Sequence, residues 1–234
     1  MEAARSRNTL RGEIDTPRGL LNEGVRLAQG AIEMSRSAPL LATGLLCLGL
    51  GGCAMALGGG SAAPISYDLI APRSFAAGAR SAPYQLVVRE PIAVHALDTD
   101  RIMVRPHVSQ VSYYKGAVWS DRLPHLVQVR MIETLQNAGA ARAVLNSNDQ
   151  ASGDVYLATE IRSFQIDTSN GPAAADVDLF AKLINGDSEK VVASKGFSAR
   201  VPAANDTPQA AVAALNQALT EVLQDTSSWV AGRR

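Results

Sequence analysis

The feature that most limits what this chain can fold into is an uncharged apolar segment, residues 38–50, which is followed by Gly-Gly and Cys53. Its 13 residues are fewer than the roughly 20 that a membrane-spanning helix needs. A basic start at Arg36, an apolar middle and small residues at the end follow the order of a secretory signal. Residues 34–52 are therefore predicted to be a signal peptide that is removed, and they are set aside from the fold.

The end of this segment, Leu50-Gly51-Gly52-Cys53, resembles the lipobox of bacterial lipoproteins. By that resemblance Cys53 becomes the first residue of the mature protein and carries a diacylglyceryl thioether and an N-linked acyl chain, such as palmitate. The alternatives are a cysteine that lies by chance in a glycine-rich apolar patch, or an uncleaved membrane anchor. Because each buried methylene contributes about 0.8 kcal/mol, three acyl chains hold a protein firmly at a bilayer.

The residue after the cysteine bears on which membrane is involved. Ala54 is not the aspartate that often retains lipoproteins at the inner membrane. We therefore expect a protein anchored in the bacterial cell envelope and facing the periplasm, at the outer membrane rather than the inner one.

The segment before the signal, residues 1–33, carries ten charged side chains where a signal should begin near the chain start. The interpretation is that translation starts at Met34, and the alternative is a cytoplasmic lead-in. After the signal, residues 53–65 include Gly-Gly-Gly-Ser without the lysine of a phosphate-binding loop. We interpret them as a flexible tether of up to about 40 Å, leaving residues 66–234 as a single domain.

The composition of residues 53–234 restricts the function. Sixteen basic and seventeen acidic side chains remain there, so the mature chain is nearly neutral and nucleic acid is not an expected partner. Cys47 lies in the removed segment and Cys53 would carry lipid. No thiol is then left for a disulfide, a cysteine nucleophile or a thiolate metal site.

Strand patterns recur along the domain. They are a short alternation at 66–70, apolar runs at 85–88, 101–105 and 110–114, and longer alternations at 154–167, 177–183 and 191–201. The three apolar runs in sequence imply antiparallel pairing for at least part of the sheet. Turns at Asn170-Gly171-Pro172 and Asn185-Gly186-Asp187 are predicted to join the three longer alternations as neighbouring strands. Lys115-Gly116-Ala117 is predicted to be a turn, and a phase slip near Arg162-Ser163 predicts a β-bulge.

Two helices are predicted to cover this sheet. Ser120-Asp121 could cap a helix that starts near Pro124 and ends at Asn137, and Asp206-Thr207-Pro208 is a typical start for the last helix. The fold class is therefore α+β, with a mainly antiparallel sheet of six or seven strands and two long helices packed on one face.

Candidate chemistry is sparse in this sequence. His95, His107 and His125 are scattered without the spacing of metal ligands, and no nucleophile motif accompanies them. We therefore predict no enzyme activity, no catalytic residues, no metal and no cofactor. Tyr113, Tyr114 and Trp119 lie within seven residues and are either a hairpin packed on a helix or a contact surface for a partner protein or an acyl chain. At most one of the adjacent tyrosines can be core, because neighbours in a strand point to opposite faces.

The stretch RIMVRPHVSQVSYYKGAVWSDRLPHLVQVRMIETLQNAG, residues 101–139, together with the lipobox and Tyr67-Asp68-Leu69, resembles the ABC-type transport auxiliary lipoproteins. Their pattern is a basic-flanked strand, a paired-tyrosine strand, a tryptophan and then L-P-x-L opening a helix. Asp68 stands where the pattern usually has a second aromatic residue. The resemblance covers most of the mature chain. In the last strands and the last helix, the order of the elements matches the family but the individual residues do not.

The resemblance implies a non-catalytic envelope subunit for docking or tethering. Its partners would be an MCE-domain substrate-binding protein and the permease and ATPase of an ABC system that moves phospholipids or other hydrophobic molecules. The number of copies, including a homo-oligomer, is left open. The alternatives are a stand-alone lipid-binding or assembly lipoprotein, which needs an apolar cavity of a few hundred Å³, and an envelope hydrolase, whose acid, base and nucleophile are not evident.

Overall fold

The computed structural model describes residues 63–75 and 81–233, so Cys53, the predicted signal and most of the tether lie outside the described residues. The elements follow in the order β1 (Ile65–Tyr67), β2 (Ala82–Val88), β3 (Ile92–Ala93), β4 (Arg101–His107), β5 (Gln110–Trp119), α1 (Leu123–Asn137), β6 (Ala141–Asn146), β7 (Val155–Asp167), β8 (Ala174–Asn185), β9 (Val191–Pro202) and α2 (Pro208–Ala231).

Strand β7 is the centre of the sheet. Along one edge it pairs antiparallel with β8, which in turn pairs antiparallel with β9. Along its other edge β7 meets three parallel strands in succession, β2 at its start, β3 in its middle and β4 at its end. Strand β6 lies beside β2, and β5 and then β1 lie beyond β4. On this edge of β7 the remaining strands therefore form two separate groups: β2 with β6, and β4 with β5 and β1.

The α+β class is confirmed, but the mainly antiparallel sheet of six or seven strands is wrong. Within the described residues the sheet is mixed and has nine strands. The short runs that became β2 and β4 have no hairpin to β7 and reach it through crossovers, which makes parallel pairing possible. Two strands were not predicted, the two-residue β3 and the short β6, whose sequence ARAVLN has an exposed arginine in its alternation.

The antiparallel wing β7–β8–β9 and the predicted bulge are confirmed. The register between β7 and β8 shifts between Ile161 and Ser163. Before the shift Leu157 and Ile161 are buried, and after it Phe164 and Ile166 are buried. The bulge thus keeps both halves of the strand facing the same core although the sequence changes phase.

Both helices pack on one face of the sheet. Helix α1 contacts β6 and β2, helix α2 contacts β8 and β9, and the two helices contact each other. Helix α2 begins as predicted, with Pro208 at its first position and the Thr207 hydroxyl accepting the Ala210 N–H at 3.3 Å. Neither helix in the described part of the chain combines the length and apolarity needed to cross a membrane.

The predicted cap of α1 is wrong. Arg122 occupies the N-cap position and makes no side-chain capping bond in the described chain. The Asp121 carboxylate instead accepts the N–H of its neighbour Arg122 at 2.6 Å and lies 2.7 Å from Nδ1 of His125. Since Pro124 leaves one fewer N–H to satisfy in the first turn, the helix forms without this cap.

Candidate functional site

The candidate partner-binding residues lie on β5, which runs between β4 and β1. The predicted turn at Lys115-Gly116-Ala117 is wrong, because β5 continues through it and the hairpin turn lies between His107 and Gln110. Gly116 has φ +71°, and the β4–β5 register shifts around it. A glycine in the left-handed region suits a bulge as well as a turn. This bulge brings Ala117 and Trp119 into the core.

Tyr113 is half-buried and held by two contacts. The guanidinium carbon of Arg101 lies 3.6 Å from the centroid of its ring. Its hydroxyl donates to the carbonyl oxygen of Ala96 at 3.0 Å. The cation and the hydrogen bond fix the ring in one orientation, with part of its surface left accessible.

Tyr114 is also half-buried, on a different side of the strand. Burial raises the pKa of its phenol, and the negative charge of Asp206 in the loop before α2 raises it further. The phenol is therefore neutral at physiological pH and can donate or accept a hydrogen bond. Because neither tyrosine is fully buried, each presents an apolar ring and a polar tip, as protein contact surfaces commonly do.

Trp119, the third candidate, lies inside the molecule. It is 2% exposed and meets Phe164 edge to face, with ring centroids 5.9 Å apart and an angle of 78° between the rings. Its backbone N–H donates to the carbonyl of Asp100 at 2.6 Å. In this conformation Trp119 packs against the core on the buried side of β5, and the two tyrosines contribute accessible surface. Whether any of the three contacts a partner stays a prediction.

An ion-pair cluster around Asp68 fastens the first strand to both helices. Its carboxylate accepts from Nη2 of Arg130 on α1 at 2.8 Å and from the hydroxyl of Ser120 at 3.2 Å, and Arg130 also pairs with Glu133. The Asp68 carbonyl accepts from the side chain of Asn216 on α2 at 3.3 Å. Burial alone would raise the pKa of Asp68, but the hydrogen bonds from Arg130 and the backbone lower it below its ordinary value.

Sequence reasoning missed this cluster because its members are far apart in the chain. Beside it lies a surface pocket of about 620 Å³, lined by Leu69, Ile70, Ala71, Arg73, Arg130, Glu133 and Asn137. The one available signal was Asp68 itself, a charged residue where the family pattern has an aromatic one.

Side chains of β7 and β8 that alternate with the buried ones form a second aromatic surface. The guanidinium of Arg89 lies 4.5 Å from the Tyr156 ring centroid, and that of Arg162 lies 4.1 Å from the Phe180 centroid. Nearby Ile92 is 68% exposed. Tyr156 thus resembles Tyr113 in burial and in its stacked cation, but it lies on a different part of the sheet.

The titratable candidates are not brought together. His95, His107 and His125 lie in different elements, and in the described ranges no three histidine, cysteine or acidic side chains cluster as metal ligands would. The anchor candidate Cys53 lies outside those ranges.

Similar proteins give this architecture a context. The family model of the ABC-type transport auxiliary lipoprotein component matches residues 67–226. Protein bll6063 of Bradyrhizobium diazoefficiens is 32% identical over 172 residues, which cover 74% of this chain and 46% of that protein. The chain therefore spans about half the length of this curated relative.

Solved structures agree with the family match. The crystal structure of protein XCC0632 from Xanthomonas campestris, of the family DUF330, superposes with a TM-score of 0.66 and 28% identity over 70% of this chain and 93% of that one. The crystal structure of an uncharacterised protein superposes with a TM-score of 0.56 and 12% identity over 70% of this chain and 97% of that one, and shares the fold alone. With the family model matched across α1, most of α2 and the nine described strands except part of β1, this chain belongs to the ABC-type transport auxiliary lipoprotein component family.

Proposed function

We propose that this chain is a non-catalytic, lipid-anchored subunit of an ABC-type transport system that moves phospholipids or other hydrophobic molecules across the bacterial envelope. The observation that carries the proposal is the family match over residues 67–226. Its partners are an MCE-domain substrate-binding protein and the permease and ATPase of the same system. ATP hydrolysis belongs to the ATPase, and this chain contributes docking and tethering.

The anchor in this proposal is Cys53, carrying acyl chains in the envelope with the domain facing the periplasm, at the outer membrane in preference to the inner one. The twelve residue steps from Cys53 to Ile65 extend to about 40 Å at most. That reach lets the domain contact a partner while the lipid stays in the bilayer.

The contact surface in this proposal is the outer part of β5. Tyr113 and Tyr114 are each half-exposed, and Arg101 lies over Tyr113. Aromatic side chains and arginine are enriched at protein interfaces, because they combine large contact area with hydrogen-bonding groups. Arg101 and the hydrogen bond to Ala96 also hold the Tyr113 ring before binding, which lowers the entropy lost on association.

The test is a pull-down of the tagged full chain from detergent-solubilised membranes, with proteins and lipids identified by mass spectrometry. Wild type should recover an MCE-domain protein and its permease. The variant Cys53→Ala should lose membrane attachment. Among tyrosine variants, Tyr113→Ala should lower the recovery of the partner, whereas the matched control Tyr156→Ala should leave it unchanged. Equal recovery with both variants would contradict the proposed surface, and no transporter subunit with wild type would contradict the proposed function.

A second candidate, a stand-alone lipid-binding lipoprotein, is favoured by one pocket. It has a volume of about 600 Å³, within the range of about 300–1,000 Å³ of small-molecule sites. Apolar side chains of β7, β8 and β9 line it beside Arg233; the lining is Tyr84, Asp154, Val155, Leu183, Asn185, Val192, Ala193, Gly232 and Arg233. Recovery of bound lipid without a transporter subunit in the same pull-down would favour this candidate.

A further inference from the structure

The tip of the β4–β5 hairpin exposes two apolar side chains. Val108 is 71% exposed, the highest value among the large exposed hydrophobic residues of the described chain, and Val111 is 42% exposed. Arg105 links the tip to β7, because its Nη1 donates to the Val108 carbonyl at 2.8 Å and its Nη2 donates to Gln165 at 3.2 Å. Isolated exposed valines are common on protein surfaces, so the significance of this pair depends on where the tip points.

The chain direction places the described start of the domain at the tip's end of strand β1. Strand β1 is parallel to β5, with Ile65 opposite Ala117. Because β5 begins at the tip, the described residues 63 and 64 lead into Ile65 from the tip's end of the sheet. Seven residue steps separate Gln110 from Ala117, a distance of about 23 Å along the strand. The tether from Cys53 to Ile65 spans up to about 40 Å, so it is long enough for the tip to touch the bilayer that holds the lipid.

The charge of the hairpin fits an anionic surface. Residues 101–119 carry no aspartate or glutamate, and of their three basic side chains Arg105 lies nearest the tip, whereas Arg101 pairs with Val118 at the far end of the hairpin. Three carboxylates come near this end from other elements, and one of them, Asp176, lies 3.4 Å from the Gln165 amide nitrogen. Asp167 pairs with Arg200 at 3.0 Å, and Asp206 lies in the loop before α2.

The opposite end of the sheet is acidic. Since β4 and β7 are parallel, the connections that precede β7 and join β8 to β9 lie away from the tip. These connections, residues 147–154 and 186–190, carry Asp149, Asp154, Asp187 and Glu189 against one lysine. Basic segments are attracted to anionic lipid by about 1 kcal/mol per residue near the surface, so the two ends differ in their affinity for such a surface.

We propose that the β4–β5 tip docks on an anionic phospholipid bilayer, with Val108 and Val111 entering the headgroup region and the Arg105 guanidinium, which contacts the Val108 carbonyl, near the phosphates. This inference rests on the proposed lipid anchor at Cys53. Apolar side chains at the acyl boundary combined with basic residues above them are the two elements of peripheral membrane binding. The acidic end then faces away from the membrane.

The test uses a label at each end of the lipidated full chain. A mature chain whose Cys53 is a thioether has no free thiol, so Val108→Cys introduces the sole reactive position, and Ser188→Cys in the β8–β9 turn is the matched control. Each is labelled with a nitrobenzoxadiazole dye and reconstituted in vesicles of phosphatidylglycerol and phosphatidylcholine that contain brominated lipid. We expect a blue shift and loss of emission for V108C and no change for S188C. In vesicles of phosphatidylcholine alone, the V108C response should shrink.

Three results would overturn the docking proposal. The first is an unquenched label at V108C, and the second is equal quenching at both positions. The third is a V108C label whose emission shifts only when transporter subunits are added, because the tip would then contact a protein. The anchor is tested separately, because wild type should take no dye. Dye uptake at Cys53 would contradict lipidation, which is part of the proposed function. Circular dichroism melts of the labelled variants identify any loss of folding, and melts that match wild type make an unquenched V108C label decisive.

Discussion

Replacing Trp119 with alanine should destabilise the domain, because the side chain acts within the core. Trp119 is 2% exposed, and its ring lies 5.9 Å from that of Phe164 in an edge-to-face arrangement. Truncation of a buried aromatic residue to alanine costs about 3–5 kcal/mol, and an edge-to-face pair adds about 0.5–1.5 kcal/mol beyond the buried area. Since a domain is stable by about 5–15 kcal/mol in total, W119A should remove a large fraction of the free energy of unfolding.

The assay is urea unfolding of the full chain followed by circular dichroism. Trp119→Phe keeps an aromatic ring, so its free energy of unfolding should fall by less than that of W119A. Tyr114→Ala should lower the free energy of unfolding by less still. A double-mutant cycle with Phe164→Leu should give a coupling energy of about 1 kcal/mol, because the two side chains touch. If W119A lost less than about 1 kcal/mol and yet failed to recover the transport partner, Trp119 would be a contact residue and the core assignment would be refuted.

Three further changes test the backbone and the Asp68 cluster. Gly116→Ala should lower stability by about 1–2 kcal/mol in urea unfolding, because φ is +71° although an added Cβ would meet no atom within 4 Å; no loss would contradict the bulge geometry. Thr207→Ala should lower stability in thermal unfolding by about 1 kcal/mol, whereas Thr207→Ser should retain the helix cap. Equal melting temperatures of the two variants would contradict the cap. Asp68→Asn should be less stable than wild type at neutral pH. Since the pKa of Asp68 is lowered on folding, the stabilising effect is complete above the ordinary value of 3.8 and is lost as the pH falls below it. A stability difference between wild type and D68N that persisted unchanged in acid would contradict the role of the carboxylate. We expect this difference to be small, because the Asp68 side chain is 52% exposed.

The antiparallel wing could be predicted from the sequence because its information is local. Over most of β7 and β8 the buried positions alternate with half-buried ones, and hairpin turns fix which strands pair. Even the slip at Ile161–Ser163 was visible as a change of phase. The parallel pairing of β2, β3 and β4 with β7 could not be predicted in this way. Strand β2 pairs with β6 and β7, which follow it by more than fifty residues, and a short apolar run does not reveal its direction or its neighbours.

The same distinction between local and distant information holds at the site. The sequence places Tyr113 and Tyr114 on one strand with opposed side chains, but Arg101 and Asp206 that adjoin them come from β4 and the loop before α2. The sequence predicts a turn at Gly116 because glycine favours turns. A left-handed glycine can also form a bulge, but the bulge depends on the pairing of β5 with β4, which the local sequence does not show. The bond between Asp68 and Arg130 spans 62 positions, so no local pattern could indicate it.

The two proposals together define a height above the membrane. The β4–β5 hairpin carries the bilayer-docking tip at Val108 and the partner-contacting ring of Tyr114 four residues beyond Gln110, which is about 13 Å along the strand. A partner that contacts Tyr114 must therefore present its surface close to the bilayer when the tip is docked. If the tether alone held the domain, this height would vary with tether length, because a flexible chain sets only a maximum distance. If the tip docks, the height is fixed by β5, and partner recovery is insensitive to lengthening of the tether. The tether then keeps the domain near the membrane, and the hairpin orients it.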